Sequence, residues 1–180
     1  MQTLYLIRHT TPAVEPGICY GQLDVGVTPG FEGEARQVAA WLPRPDLIVA
    51  SPLKRARELG EYLARACNCE LEFDARLMEK HFGRWEGQAW ASIERSELDA
   101  WAADVPGYAP PGGESATQLM RRAQALLHDL GRMPQETIAL TTHGGVIRAV
   151  LAHIAGMPLA DILHWEVGYG AVIGVKYRRN

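Results

Sequence analysis

The chain has 180 residues, of which 47% are apolar, enough to bury the core of one domain. Its formal charge of −3, from 18 basic and 21 acidic residues, lacks the basic excess of a nucleic-acid binder, and no run approaches the ~20 apolar residues of a membrane span. Three cysteines, Cys19, Cys67 and Cys69, form no disulfide framework, and the amino terminus has no basic stretch before its short apolar run, so a reducing cytoplasmic setting without signal peptide or anchor is expected.

Residues 4–7, Leu-Tyr-Leu-Ile, read as a strand buried on both faces in a parallel sheet, which carries Arg8 and His9 to its carboxyl end before a turn ending at Pro12. Ligands of open α/β sheets bind at such strand ends, so a basic pair there points to an anionic substrate. The Pro- and Gly-rich stretch 10–30 exceeds the ~12–15 residues usual for a structureless loop and is expected to border the site. A helix over Phe31–Trp41 follows, with Thr28 as cap and Pro29 in the first turn.

Leu47-Ile48-Val49-Ala50 reads as a second buried strand, and Ser51-Pro52 as the cap and first position of the next helix, with Leu53, Ala56, Leu63, Ala64 and Cys67 near helical spacing. Arg55 then falls in the first turn, where a guanidinium opposes the helix dipole unless an anion lies close; it is a candidate phosphate ligand, against a solvated arginine as the plain alternative. Cys67-Asn68-Cys69 is too tightly spaced for a zinc pair and has no second pair, so it reads as small residues ending the helix.

Glu70–Phe73 can form a further strand, and residues 76–87 mix charge, aromatics and glycine. Residues 89–111 carry Trp90, Trp101 and Tyr108 in a weak pattern and read as an insertion that covers the site. Ser115 with Gln118 makes a capping box for a helix to Leu130, stopped by Gly131. Thr137–Thr142 is another strand, running into His143-Gly144-Gly145. Glycines there let backbone approach a ligand, and the helix that follows, over 146–154, would aim free amides at a phosphate. His143 as a mere helix start is the plain alternative. Residues 171–177 form the last strand.

Strands alternating with helices predict an α/β fold: a three-layer sandwich with a mostly parallel central sheet, helices on both faces and a small insertion over the active site. One domain over 1–180 is expected, with the insertion at about 80–114. The dinucleotide glycine fingerprint, the P-loop and the Gly-x-Ser-x-Gly elbow are absent.

Four segments in this order resemble the motifs of the histidine phosphatase superfamily, also called phosphoglycerate mutase-like: Arg8-His9-Thr10, Ser51-Pro52-Leu53-Lys54-Arg55-Ala56, Leu77-Met78-Glu79 with Phe82-Gly83-Arg84-Trp85-Glu86-Gly87, and Thr142-His143-Gly144-Gly145. There are two departures from the family pattern. Thr10 replaces the usual glycine after the first histidine, and Leu59-Gly60 stands where a Thr-Ala pair often follows the second arginine. Within the family, Thr10 and Cys19-Tyr20-Gly21-Gln22-Leu23-Asp24-Val25 look most like the α-ribazole phosphatase group of cobalamin synthesis.

The resemblance implies a phosphatase with His9 as nucleophile, Glu79 as general acid and base, and His143 as transition-state stabiliser. It implies a phosphate grip from Arg8, Arg55, His143 and Gly144. Thr10, Tyr20, Gln22 and His81 are candidate substrate-binding residues. Glu86 is the rival acid, Trp85 is read as packing, and His128, His153 and His164 as structural or surface residues. No metal or other cofactor is expected. The expected partner is a small-molecule phosphomonoester, α-ribazole 5′-phosphate first, with no nucleic acid or membrane and a homo-oligomer open. The alternatives are a sugar-phosphate or phosphoglycerate phosphatase or mutase and, from another class, a non-catalytic phospho-ligand binder.

Overall fold

Leu4 and Leu6 of strand β1 (Gln2–Arg8) pack into one buried cluster while Tyr5 and Ile7 join another, the two-residue alternation of a strand covered on both sides. The computed structural model, which describes residues 1–178, repeats this in β2 (Leu47–Ala50) and β4 (Thr137–Thr142): Leu47, Val49, Ile138 and Leu140 face one cluster, Ile48 and Ala139 the other. With β3 (Glu70–Phe73) and β5 (Val172–Tyr177) they form a five-stranded sheet in the order β3-β2-β4-β1-β5. All neighbours pair in parallel except β5, which runs antiparallel to β1.

Helices α1 (Phe31–Trp41) and α2 (Lys54–Cys67) cover one face. Helices α4 (Ala116–Leu130), α5 (Gly144–Ala155) and the short α6 (Leu159–Ile162) cover the other. This is the three-layer α/β sandwich expected from the sequence. The connections after β1 and β2 run on the first face and those after β3 and β4 on the second, so the chain switches sides between β1 and β4 and opens a crevice beyond their carboxyl ends.

Local signals explain most boundaries. Ser115 and Gln118 make the reciprocal capping box at α4, and Gly131 is its C-cap. Helix α5 ends at Gly156 with φ 64°, a left-handed conformation that costs glycine little. Two predicted caps are corrected. Gly30, not Thr28, is the N-cap of α1, and no side chain caps it. Helix α2 starts after Leu53, three residues past Ser51, whose hydroxyl is drawn instead toward His143.

Within 89–111, read from sequence as weakly patterned, lies a nine-residue helix, α3 (Arg95–Ala103), no residue of which is fully buried. The stretch packs through rings onto Trp85, which is 1% exposed: Trp90 and Trp101 stack at 5.7 Å, and Trp85 stacks on Tyr108 at 5.9 Å. No helix among the described residues is long and apolar enough to cross a membrane.

Candidate active site

Parallel pairing of β1 with β4 sets Arg8 beside Thr142, and His9 N–H donates to the Thr142 carbonyl at 3.0 Å. The next residues, His9 and His143, are thus delivered side by side, with ring centroids 5.1 Å apart. On the far side of β4, Ser51 N–H donates to the Thr141 carbonyl at 2.9 Å, which puts the Ser51 hydroxyl 2.8 Å from His143 Nε2. Three strand ends therefore meet, and His9, Ser51 and His143 are almost fully buried there.

His9 is held in one orientation. Its Nδ1 lies 2.7 Å from the carbonyl of Thr10, an acceptor that requires the proton on Nδ1 and leaves the lone pair on Nε2. Arg55, reaching across from α2, donates from Nε to that Nε2 at 3.3 Å. Burial first, then the charge of Arg55, pushes His9 down to about 3, so the ring is neutral at physiological pH. His143 is also driven well below its ordinary value, by burial and then by Arg55 and His9. When the Ser51 hydroxyl, which also accepts from Leu53 N–H, donates to His143 Nε2, the ring carries its proton on Nδ1.

Arg55 is fully buried and spends its two Nη atoms on the long loop, donating to the carbonyls of Gly21 at 2.6 Å and Leu23 at 3.0 Å. Arg8 donates from Nη1 to the Val167 carbonyl. Three buried polar atoms flanking His9 have no protein partner: Arg8 Nε, Thr10 Oγ1 and His143 Nδ1. Each such atom costs about 1–3 kcal/mol when unsatisfied, so the cluster is built for a bound acceptor with several oxygens.

Glu79 enters from the stretch after β3. Thr142 Oγ1 donates to the Leu77 carbonyl at 2.7 Å, fastening this stretch to the end of β4. The Glu79 carbonyl is pinned by Arg122 Nη2 and by Gln22 Nε2, each at 2.9 Å. Its carboxylate then accepts from Gly145 N–H at 3.1 Å and from Lys80 N–H at 2.8 Å. A Cβ on Gly145 would run into Glu79 Oε1. The close approach expected at this glycine is therefore one to Glu79 rather than to a ligand. At Gly144 a Cβ would stand 3.6 Å from Arg8 Nε and from Arg148 Nη1, ordinary contact distances.

The other predicted residues take different places. Gln22 serves the Glu79 backbone, and Tyr20 lies with its ring 5.0 Å from the Arg55 guanidinium carbon. His81 is 43% exposed at its side chain and faces Glu86 at 4.0 Å. Glu86 Oε1 accepts from the amides of Gln22 and Phe82, both at 2.9 Å, so the rival carboxylate staples two loops. Trp85 is a core residue of the aromatic cluster, as expected. The described residues contain no group of three or more His, Cys, Asp or Glu able to hold a metal ion.

Two residues at the site were not singled out in the sequence. Arg148 sits one turn after Gly144 on α5, feels the charges of Glu79 and Arg8, and donates to the Trp165 carbonyl at 3.1 Å. A lone cation in the apolar run Val146, Ile147, Ala149, Val150 was the available signal. Tyr169 stacks over the Arg8 guanidinium carbon at 4.0 Å and lies 5.5 Å from the His9 ring. Its segment has no periodicity, and only its place between Gly168 and Gly170 marked it.

Comparison with known proteins identifies the family and the fold. Residues 4–180 match the family model described as "Histidine phosphatase superfamily (branch 1)". The chain is 30% identical over 182 residues to the glucosyl-3-phosphoglycerate phosphatase of Mycolicibacterium vanbaalenii, covering 93% of this chain and 79% of the relative. It is 32% identical over 166 residues to an Escherichia coli protein named "Probable phosphoglycerate mutase GpmB", covering 88% and 77%. Among solved structures, the mycobacterial glucosyl-3-phosphoglycerate phosphatase in complex with VO3 superimposes with a TM-score of 0.87 at 28% identity, over 98% of this chain and 93% of that one.

Proposed function

This chain belongs to the histidine phosphatase superfamily, and we propose that it is a metal-independent phosphomonoesterase that works through a phosphohistidine on His9. One observation carries the reading: His9 is neutral, locked by the Thr10 carbonyl, and presents its Nε2 lone pair beside the Arg55 guanidinium. A ring so held attacks phosphorus without first losing a proton.

In the first half-reaction the His9 Nε2 lone pair forms the N–P bond while the bond from phosphorus to the leaving oxygen breaks. Glu79 gives its proton to that oxygen. Arg8, through its unpartnered Nε, and Arg55, through the Nε that faces His9, donate to the phosphoryl oxygens, and His143 Nδ1 and the Gly144 amide add donors where charge builds up. In the second half-reaction water attacks phosphorus, the Glu79 carboxylate takes the water's proton, and the N–P electron pair returns to His9.

For the leaving group, the loop pattern Thr10 with Cys19-Tyr20-Gly21-Gln22 supports α-ribazole 5′-phosphate, which would place the enzyme in cobalamin biosynthesis in the cytoplasm. A second reading, a glucosyl-3-phosphoglycerate type of ester, is favoured by the names of relatives at 30% identity. A non-catalytic phospho-ligand binder would need the grip but not a locked nucleophile.

The test is a panel of α-ribazole 5′-phosphate, glucosyl-3-phosphoglycerate, 3-phosphoglycerate and sugar phosphates, assayed with and without EDTA. Release of phosphate at equal rates in EDTA, with the highest kcat/KM for α-ribazole 5′-phosphate, is the expected result. Activity restored only by added metal contradicts the class, and a higher kcat/KM for a glyceryl ester contradicts the substrate.

A further inference from the structure

The two arginines that flank His9 each lie under a tyrosine ring. Tyr169 covers Arg8 at 4.0 Å and Tyr20 covers Arg55 at 5.0 Å, measured from guanidinium carbon to ring centroid. The two rings come from segments far apart in sequence, yet their hydroxyls meet at 3.2 Å in an exposed contact. Beneath that contact His9 is 1% exposed and Arg55 fully buried, so the phenol pair lies on the solvent side of the phosphate grip.

We propose that Tyr20 and Tyr169 form the mouth of the site and select the leaving group: the phenols part to seat the substrate, and each hydroxyl exchanges its partner for a polar group on the departing alcohol.

Each ring is set by its backbone. Arg55 Nη2 donates to the carbonyl of Gly21, the residue after Tyr20. On the other side Gly170 N–H donates to the His9 carbonyl at 3.1 Å, Arg8 donates to Val167 and Arg148 to Trp165, so the segment bearing Tyr169 is tied to the site's own cations. Burial, then the hydrogen bond to Tyr169, pushes the Tyr20 hydroxyl up to about 12, which keeps it a protonated phenol able to donate as well as accept.

The chemistry favours a leaving alcohol that is flat or ring-shaped and carries hydroxyls of its own, such as a ribosyl or glycosyl unit. Phenol rings pack on its body, and the hydroxyls penalise analogues that cannot hydrogen-bond them. A small alkyl phosphate reaches the arginines but leaves the mouth unpaired. The proposal rests on the phosphomonoester reading and narrows its substrate class.

The experiment measures binding in a His9→Asn background, so that it does not depend on turnover. Calorimetry compares α-ribazole 5′-phosphate with methyl phosphate for the parent and for Tyr20→Phe, Tyr169→Phe and the double variant, which keep both rings over the arginines. The expected result is a loss of about 10-fold or more in affinity for the ribosyl ester in the double variant, against less than about 3-fold for methyl phosphate. Equal losses for both ligands mean that the phenols only support the arginines, and no loss for either means that they do not touch substrate. Both outcomes overturn the proposal. Failure of the native enzyme to hydrolyse any ester would instead strike the phosphatase reading, and these binding ratios would still decide the role of the phenols.

Discussion

Arg55 Nε and His9 Nε2, 46 residues apart in sequence, lie 3.3 Å from each other in a pocket closed to solvent. A cation placed on the lone pair of a nucleophile does two things. It adds to burial, the larger cause, in keeping the imidazole from protonating, and it marks where a phosphoryl oxygen would take the guanidinium for itself as phosphorus approaches the nitrogen.

The first prediction concerns the acid. Replacing Gly145 with alanine pushes a methyl group into Glu79 Oε1 and displaces the carboxylate. For alkyl phosphates, whose leaving oxygen needs a proton, kcat/KM is expected to fall about 10- to 100-fold; for para-nitrophenyl phosphate, which leaves unaided, by less than about 3-fold. Glu79→Gln should behave alike. Equal losses on both esters, in a comparison that reports the steps up to the phosphoenzyme, would remove Glu79 as the acid.

The second concerns packing behind the site. A Cβ on Gly60 would stand 2.8 Å from Ala50 Cβ and 2.9 Å from Thr141 Oγ1, so α2 lies on β2 and β4 at a separation only glycine permits. Overpacking of this kind costs about 1–3 kcal/mol, more than the ~1 kcal/mol alanine gains in a helix interior. Gly60→Ala should therefore lower Tm by several degrees and, since α2 carries Arg55, reduce kcat/KM as well. An unchanged or higher Tm contradicts this. The contact also gives a physical reason for the glycine at this departure from the family pattern.

The third concerns pH. His9 has its folded pKa lowered from 6.5 to about 3, so between those values the unfolded chain binds a proton that the folded one refuses. Stability must then fall as pH drops through that window and level off below it, at up to about 1.4 kcal/mol per pH unit from this residue. His143, lowered for the same first cause of burial, adds in the same sense. Urea midpoints measured between about pH 7 and pH 4 should fall more steeply for the native chain than for His9→Asn. Parallel curves would mean that His9 titrates normally.

What was legible in the sequence were the residues at element ends. Arg8, His9, Arg55 and His143 each adjoin a run whose apolar pattern fixes a strand or helix, and strand register then does the assembling. Helix α3 was hidden because it buries no residue fully and holds to Trp85 through rings. Ser51 was misread because a hydroxyl before a proline looks like a cap, whereas its tertiary partner, the His143 ring, lies 92 residues away. Tyr169 reaches the site through long-range contacts with Tyr20 and Arg8 that no local pattern encodes, whereas Arg148 was marked locally only as a lone cation in an apolar run.

The most direct measurement is a trapping experiment. A phosphomonoester labelled in its phosphate is mixed with enzyme for less than one turnover, quenched in alkali, and the labelled peptide identified. The account predicts one phosphorus on Nε2 of His9, stable in alkali and lost in acid, absent from His9→Ala along with turnover reduced on the order of a thousandfold or more. A His9→Ala protein that still hydrolyses the ester at near-native rate, or a label found on any other residue, contradicts it.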